Sequence, residues 1–184
     1  MSEFRAANGT PVIGIAGWKN SGKTTLAVRL IAEFTARGFR VASVKHAHHN
    51  FQIDDADTDS ARHRRAGSAQ VAIVSANRWA LVTELGGQRE PDIADVIAML
   101  APCDLIIVEG YKTAAIPKIE ARRGRPGTQP LLASDDPHII AVAADTPAAH
   151  LDPLPIFHLD DVATLADFLT KRFALPTTLQ KAAP

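Results

Sequence analysis

The sequence predicts an α/β fold with a mainly parallel sheet and one section suited to an antiparallel hairpin. Short apolar runs of strand length alternate with segments whose apolar residues recur every three to four positions, the pattern of strand–helix–strand units. The motif GWKNSGKTT at residues 17–25 stands between one apolar run and one helical pattern. Strand, G-x-x-x-x-G-K-[ST] loop and helix in that order indicate a phosphate-binding loop. The predicted class is therefore the three-layer P-loop NTPase fold.

The elements that flank the motif are the clearest. Residues 11–16 form a continuous apolar run that predicts a buried strand. Residues 24–34 carry apolar side chains on one face, which predicts a helix, and Gly38 is placed to end it. Residues 39–46 then predict the second strand.

The middle of the chain predicts a loop, a short helix and a hairpin. Residues 47–58 are polar and acidic without a period, so we expect a loop there. A helix should follow over residues 59–66, with Gly67 as its terminator. Residues 70–75 and 78–84 predict two strands, and the short Ala-Asn turn between them favours antiparallel pairing.

The second half repeats the alternation. Pro91 opens a helix whose apolar positions share a face. Three further apolar runs predict strands, at residues 104–109, 116–121 and 139–144. Residues 122–130, rich in Arg, Gly and Pro, predict a loop, and residues 162–173 predict the last helix.

Length and composition favour one soluble domain. The chain has 184 residues, of which 46% are hydrophobic and 22% charged, and a formal net charge of zero. We expect a single nucleotide-binding domain over residues 11–174, a flexible segment over residues 1–10 and a frayed tail over residues 175–184. With no long apolar run, no signal peptide pattern and one cysteine, we expect a cytoplasmic protein that binds neither membranes nor nucleic acid.

The motif itself predicts a nucleotide site. The backbone amides of residues 19–24 should surround the α- and β-phosphates at the start of the helix. Lys23 should reach the β- and γ-phosphates, and the Thr24 hydroxyl should bind Mg²⁺. The predicted phosphate-binding residues are Gly17, Lys19, Asn20, Ser21, Gly22, Lys23, Thr24 and Thr25.

Polar residues that follow the predicted strands should meet at one edge of the sheet. In open α/β sheets the ligands bind beyond the carboxyl ends of the strands, and Lys45, Glu109 and Asp145 all stand there. Glu109 is the better magnesium ligand, because Asp104 begins the same strand and lies about 17 Å away at roughly 3.4 Å per residue. The alternative is that Glu109 only caps its strand or pairs with Lys112.

The acidic loop offers two more candidates for the metal. Either Asp54 or Asp59 can reach a magnesium ion if the loop folds over the terminal phosphate. Asp59 can equally be the N-cap of the following helix. The loop lacks the glycine and glutamate that a calcium-binding loop needs.

Histidines and arginines near this edge leave their roles open. His46, His48 and His49 do not have zinc-site spacing, so they either contact phosphate or substrate, or are ordinary loop residues. The arginines at positions 62–65 and 122–125 are either solvated or bind an anionic ligand.

A carboxylate at the end of the last core strand suggests base recognition. Asp145 can accept two parallel hydrogen bonds from guanine, which adenine cannot supply. The N-K-x-D signature of many GTPases is absent, so the residues alone leave guanine against adenine undecided.

Several blocks together resemble the MobB family, named for molybdopterin-guanine dinucleotide biosynthesis protein B. The blocks lie in the family's order over about residues 11–146. They are the phosphate loop, VKHAHH at 44–49, Phe51 to Asp54, Asp59 to Gly67, VEGYK at 108–112 and PKIE at 117–120.

The resemblance implies a GTP-binding P-loop protein with weak GTPase activity, a homodimer, and a molybdenum cofactor guanylyltransferase as partner. It implies Mg²⁺ and GTP as cofactors, with molybdopterin or its guanine dinucleotide as a further ligand. It places Asp54 and Glu109 near the metal, Asp145 near guanine, and Lys45, His48, Arg62 and Lys112 on the phosphate or pterin surface. Dimeric P-loop proteins often carry a lysine as the second residue of the loop. In this chain the second loop residue is Trp18, so no lysine that acts across a dimer is implied.

Two other functions fit the same residues. The chain can be a small-molecule kinase, with the arginines at 62–65 and 122–125 as acceptor site and lid. It can also be a binding module for the dinucleotide product, for which hydrolysis is irrelevant.

Overall fold

The structure, a computed structural model, describes residues 4–47, 53, 57–124, 130–146 and 153–176. Its contacts divide the chain into two compact units, where the sequence analysis expects a single domain over residues 11–174. The first unit comprises Met1–His46 and Ile93–Pro184, and the second comprises Ala47–Asp92.

The described residues form eight strands and four α-helices. The strands are β1 (Val12–Ala16), β2 (Val41–Lys45), β3 (Gln70–Val74), β4 (Trp79–Thr83), β5 (Leu105–Glu109), β6 (Lys118–Arg122), β7 (Ile139–Ala144) and β8 (Ile156–His158). The helices are α1 (Lys23–Ala36), α2 (Asp59–Arg65), α3 (Ile93–Ala98) and α4 (Val162–Arg172), and Leu132–Ser134 form a 3₁₀ turn.

Six strands of the first unit form one parallel sheet, in the order β2-β5-β1-β6-β7-β8. All five residues of β1 are buried, as expected of a strand covered on both faces. β1 pairs with β5 on one side and with β6 on the other, and Ile15 lies beside Glu109. The carboxyl end of β1, which leads into the phosphate loop, is therefore flanked by the carboxyl ends of β5 and β6.

Helices cover both faces of this sheet. Leu30 and Phe34 of α1 and Leu169 of α4 pack in one core cluster with the sheet residues Ile13 and Ile107. On the other face Ile97 of α3 packs with Val12, Ile106 and Ile116, which belong to a second cluster. These three layers confirm the predicted fold class.

The second unit contains α2 and the predicted hairpin. β3 and β4 pair antiparallel, with Val74 opposite Trp79, in a two-stranded sheet of their own. The hairpin is thus confirmed, but it is not part of the parallel sheet. Val74, Trp79 and Leu81 are exposed, at 75%, 70% and 48% of their full accessible surface.

Two local features differ from the sequence analysis. β8 was not predicted, because its three residues are too few to show a period. The N-cap of α2 is Thr58, whose hydroxyl accepts a hydrogen bond from the Ala61 amide, and not Asp59. Asp59 is instead the first helical residue, where its negative charge favours the helix N-terminus.

Residues 4–10, within the segment expected to be flexible, form a turn joined to α4. The Ala6 amide donates to the Thr10 carbonyl, and the Arg5 guanidinium donates to the carbonyls of Gly9 and Phe173. At the other end Leu175 donates to the Thr170 carbonyl, while residues 177–184 of the expected frayed tail lie outside the described residues. None of the helices in the described ranges has the length and apolarity needed to cross a membrane.

Candidate phosphate-binding site

The motif at residues 17–25 forms a tight loop between β1 and α1. Gly17 has φ +150°, and a Cβ there would collide with Ser21 Oγ and lie 2.5 Å from the Ala121 carbonyl oxygen of β6. Only glycine fits this contact, which explains the first fixed glycine of the motif. Ser21 is 3% exposed and its amide donates to the Trp18 carbonyl, so this residue shapes the loop from inside.

The phosphate loop ends at the N-terminus of α1. Gly22 has φ +92° and is the N-cap of α1, a left-handed conformation that glycine adopts without strain. The first amides of a helix have no carbonyl four residues back, so those of Lys23, Thr24 and Thr25 can donate to a ligand. Lys19, Asn20, Thr24 and Thr25 are exposed, as phosphate-binding residues need to be.

Lys23 is held across the loop. Its Nζ donates a hydrogen bond of 2.6 Å to the Trp18 carbonyl. Partial burial lowers the pKa of Lys23, with Lys45 acting in the same direction and Glu109 opposing both. The ammonium is therefore held across the loop, where the negative charge of a bound phosphate would offset the cost of its partial burial.

Glu109 joins the loop to the second strand. Glu109 Oε1 accepts a hydrogen bond of 2.6 Å from the Thr24 hydroxyl and lies 3.3 Å from Lys45 Nζ. Its side chain is only 13% exposed. Asp104 lies at the opposite end of β5, where it pairs with Arg40 at 3.1 Å, as the strand direction predicts.

The Thr24–Glu109 pair is a suitable donor set for magnesium. Both groups offer oxygen atoms, which Mg²⁺ prefers, and the ion completes its shell with water and phosphate oxygens. The oxygens already converge to hydrogen-bond distance, so little movement is needed for both to face one ion. Within the described residues, no three or more His, Cys, Asp or Glu side chains form a cluster that could hold a metal ion.

The Trp18 side chain of the phosphate loop is in contact with Lys112. Lys112 Nζ lies 3.6 Å from the centre of the Trp18 ring, and the Trp18 indole donates a hydrogen bond of 2.9 Å to the Pro130 carbonyl. The ring of Tyr111, the residue before Lys112, contacts the ring of His46, with centroids 4.5 Å apart. Lys112, predicted to bind an anion, thus stands at the loop on the Trp18 ring.

Asp145 follows β7 and holds a neighbouring backbone segment. Its two carboxylate oxygens lie 3.1 and 3.2 Å from the Gly124 amide nitrogen, and Oδ1 also accepts from the Thr146 hydroxyl. Guanine recognition by Asp145 stays a prediction, and it would use the same oxygens.

Two further residues lie close to Gly22, and the sequence analysis named only one of them, Arg123, among the arginines that are either solvated or bind an anion. Arg123 Nε and Leu159 Cδ2 lie 3.7 and 3.0 Å from the position that a Cβ on Gly22 would occupy. Both residues follow strands of the parallel sheet, Arg123 after β6 and Leu159 after β8. Leu159 was missed, and ranking residues by strand ends could not have found it, because β8 was not predicted.

The remaining candidates lie in the second unit or outside the described residues. Arg62 pairs with Asp57 at 3.3 Å and with Asp59 at 3.7 Å, and Arg64 pairs with Glu84 at 3.0 Å. These arginines therefore have carboxylate partners in their own unit. Four predicted or considered residues lie outside the described residues: His48, His49, Asp54 and Arg125.

Comparison with known proteins supports the motif-based resemblance. A family model described as molybdopterin guanine dinucleotide synthesis protein B, MobB, matches residues 12–145. The chain belongs to the MobB family. The match begins at β1 and ends at Asp145, so it contains the phosphate loop, Glu109 and Arg123.

Relatives of known sequence and structure agree with this assignment. The molybdopterin-guanine dinucleotide biosynthesis adapter protein of Escherichia coli K12 is 39% identical over 163 residues, covering 88% of this chain and 92% of the relative. The protein of the same name from Haemophilus influenzae is 39% identical over 165 residues, covering 88% and 89%. The crystal structure of a MobB protein homolog from Bacillus stearothermophilus has a TM-score of 0.64 at 26% identity, covering 90% of this chain and 99% of that one.

Proposed function

We propose that this MobB-family protein binds GTP with Mg²⁺ and acts as an adapter in molybdopterin guanine dinucleotide biosynthesis. The adapter role is the one that the names of its relatives carry. The observation that supports nucleotide binding best is the phosphate loop, whose Thr24 hydroxyl meets Glu109 at 2.6 Å on the adjacent strand. A loop, a helix N-terminus and a paired oxygen set are the parts that a magnesium–nucleotide complex needs.

The roles of the loop residues follow from their positions. The amides at the start of α1 bind phosphate oxygens, and Lys23 adds a positive charge to the β- and γ-phosphates. Thr24 and Glu109 hold Mg²⁺, which neutralises phosphate charge when bound. Lys45, which lies 3.3 Å from Glu109, faces the terminal phosphate, and Lys112, on the Trp18 ring of the loop, is a second cation available to the phosphates.

Slow hydrolysis at most is the expected chemistry. The Glu109 carboxylate accepts a hydrogen bond from the Thr24 hydroxyl and interacts with the ammonium groups of Lys45 and Lys23. Ammonium groups bind phosphate but do not accept a proton from an attacking water. We therefore propose that the protein binds and delivers the nucleotide rather than hydrolysing it rapidly. Guanine is the proposed base because the relatives are named for the biosynthesis of molybdopterin-guanine dinucleotide.

The proposed setting is cytoplasmic, with a homodimer as the working form and a molybdenum cofactor guanylyltransferase as partner. Molybdopterin or its guanine dinucleotide is the proposed further ligand. Exposed apolar side chains on the hairpin, Trp79 and Leu81 among them, are surface that a second copy would cover. Sedimentation of the wild type and of Trp79→Glu tests the dimer, which the substitution should dissociate.

A binding experiment tests the nucleotide assignment. Titration calorimetry with Mg²⁺ should show GTP binding by the wild type and by Lys171→Ala, a surface change in the last turn of α4. Lys23→Ala should weaken GTP about a hundredfold, because it removes a charged contact to phosphate. Unchanged GTP affinity in a folded Lys23→Ala protein would show that the loop is not the site.

Single-turnover assays separate the alternatives. We expect little phosphate release from GTP and no phosphoryl transfer to a pterin phosphate. Stoichiometric transfer to such an acceptor would favour a kinase, whereas binding of the dinucleotide product without GTP binding would favour a product-binding module.

A further inference from the structure

Arg123 stands beside the phosphate loop on the side away from Glu109. It follows β6, which pairs with β1 on the edge opposite β5. Its Nε and Cζ lie 3.7 and 3.8 Å from the position that a Cβ on Gly22 would occupy. Arg122, its neighbour, points elsewhere and pairs with the buried Glu120 at 2.7 Å.

The backbone on both sides of Arg123 is tied to the end of β7. The Asp145 amide donates to the Arg122 carbonyl at 3.3 Å. In return the Asp145 carboxylate accepts the Gly124 amide with both oxygens, at 3.1 and 3.2 Å. The segment that carries Arg123 is thus fixed at the residue before it and at the residue after it.

The charge around Arg123 calls for an anion. Its guanidinium lies next to Gly22 at the N-terminus of α1, which carries a partial positive charge. The exposed carboxylate of Asp160 accepts a hydrogen bond from Arg29, and its pKa is lowered by Arg29 and, more weakly, by Arg123, so Asp160 is shared between these two arginines. A cation held against a helix N-terminus is stabilised when a phosphate binds between the two positive charges.

The positions of Glu109 and Arg123 give the direction of a bound polyphosphate. The proposed magnesium ligands Thr24 and Glu109 mark the β5 side, and magnesium held there would neutralise the charge of the outer phosphates of a nucleoside triphosphate. Arg123 is on the β6 side, so it meets the part of the chain that is closer to the nucleoside.

We propose that Arg123 binds the phosphate nearest the nucleoside, and that Asp145 is a positioning residue that holds Arg123 there through the Gly124 amide. This proposal rests on the proposed nucleotide binding. It gives Asp145 a role different from guanine recognition.

Arg123→Ala tests the first half by calorimetry with GTP and GDP in the presence of Mg²⁺. Both nucleotides contain the inner phosphate, so the affinities for both should fall by the same factor, about tenfold or more. The matched control is Arg40→Ala, an exposed arginine at the opposite end of the sheet, which should bind both like the wild type. A loss confined to GTP, or no loss for either nucleotide, would overturn the assignment.

Asp145 variants test the second half. Asp145→Ala should weaken GTP and GDP in parallel, and the double variant with Arg123→Ala should bind no more weakly than Arg123→Ala alone. Asp145→Asn keeps one oxygen for the Gly124 amide and should remain within about threefold of the wild type. The ratio of GTP to ATP affinity should not change in any of these variants. If Asp145→Ala abolished the preference for GTP over ATP while Arg123→Ala left that preference intact, Asp145 would bind the base and the positioning role would be wrong.

The wild-type titration separates this proposal from the function on which it rests. Absence of GTP binding by the wild type would overturn both. Normal wild-type binding with an unaffected Arg123→Ala variant would overturn only the role of Arg123.

Discussion

Lys118 Nζ lies 2.8 Å from Asp136 Oδ2, although Lys118 is 1% exposed and stands on an inner strand of the parallel sheet. The same ammonium donates to the Ala114 carbonyl. Burial raises the pKa of Asp136, but hydrogen bonds from Lys118 and His138 outweigh it, so that pKa lies below its ordinary value. The pair therefore holds a charged lysine inside the first unit.

Asp136→Ala should destabilise the fold more than Lys118→Met does. The first change leaves an ammonium buried without its carboxylate, which costs about 3 kcal/mol or more in other buried pairs. The second replaces the ammonium with an apolar chain of similar length and leaves Asp136, which is 22% exposed, able to hydrate. Urea unfolding followed by circular dichroism measures both, and the reverse order would contradict this account of the pair.

The Asp104–Arg40 pair should make stability depend on acid. Hydrogen bonds from the Arg40 side chain and amide lower the pKa of Asp104 below its usual value. A carboxylate whose pKa is lower in the folded state stabilises the protein above its unfolded pKa of about 3.9, and loses that effect as the pH falls through the folded value. Asp104→Asn should therefore be less stable than the wild type near neutral pH, with the difference shrinking below about pH 4. Unfolding midpoints over this range measure it; a difference that is constant with pH would exclude the charged pair as its source.

Glu109→Gln should reduce the effect of magnesium on GTP binding. The substitution keeps the size of the side chain but removes the charge that faces Thr24 and Lys45. We expect Mg²⁺ to strengthen GTP binding by the wild type and by Asp135→Asn, an exposed change at the end of the 3₁₀ turn, much more than by Glu109→Gln. Titrations with and without Mg²⁺ measure this, and an equal magnesium effect in all three proteins would remove Glu109 from the metal site.

Trp18 should report the movement of Lys112 to a bound triphosphate. The ammonium lies over the Trp18 ring, an interaction of about 0.5–2 kcal/mol, and a phosphate oxygen offers a stronger charged hydrogen bond. The chain has two tryptophans, so Trp79→Phe leaves Trp18 as the single emitter. GTP should change its fluorescence, and adding Lys112→Ala should remove most of that change. An identical response in both proteins would mean that Lys112 stays on the ring.

The sequence predicted the parts of the site that depend on local order. The phosphate loop follows from the glycine and lysine spacing together with its flanking strand and helix, and the fold class follows from the same alternation. The position of Glu109 was predictable because the direction of β5 places Asp104 at the opposite end of the strand.

Contacts between distant segments were not predictable in this way. Asp145 and Gly124 are 21 residues apart, and their hydrogen bond depends on how the loops after β6 and β7 meet. Lys118 and Glu120 were noticed only as part of a family motif, yet both are buried with specific partners. Charged residues at alternate positions of an apolar strand were the available signal, since a buried charge requires a partner.

The contact of Gly17 with Ser21 and the Ala121 carbonyl has a consequence for how a ligand would be received. A loop that packs around Ser21 on its inner side and against β6 on its outer side has little freedom to adopt another shape. The entropy cost of ordering that segment falls on folding rather than on binding, so the loop is preorganised when a phosphate binds. Discrimination among ligands then depends on the side chains around the loop, such as Lys45 and Lys112, rather than on rearrangement of its backbone.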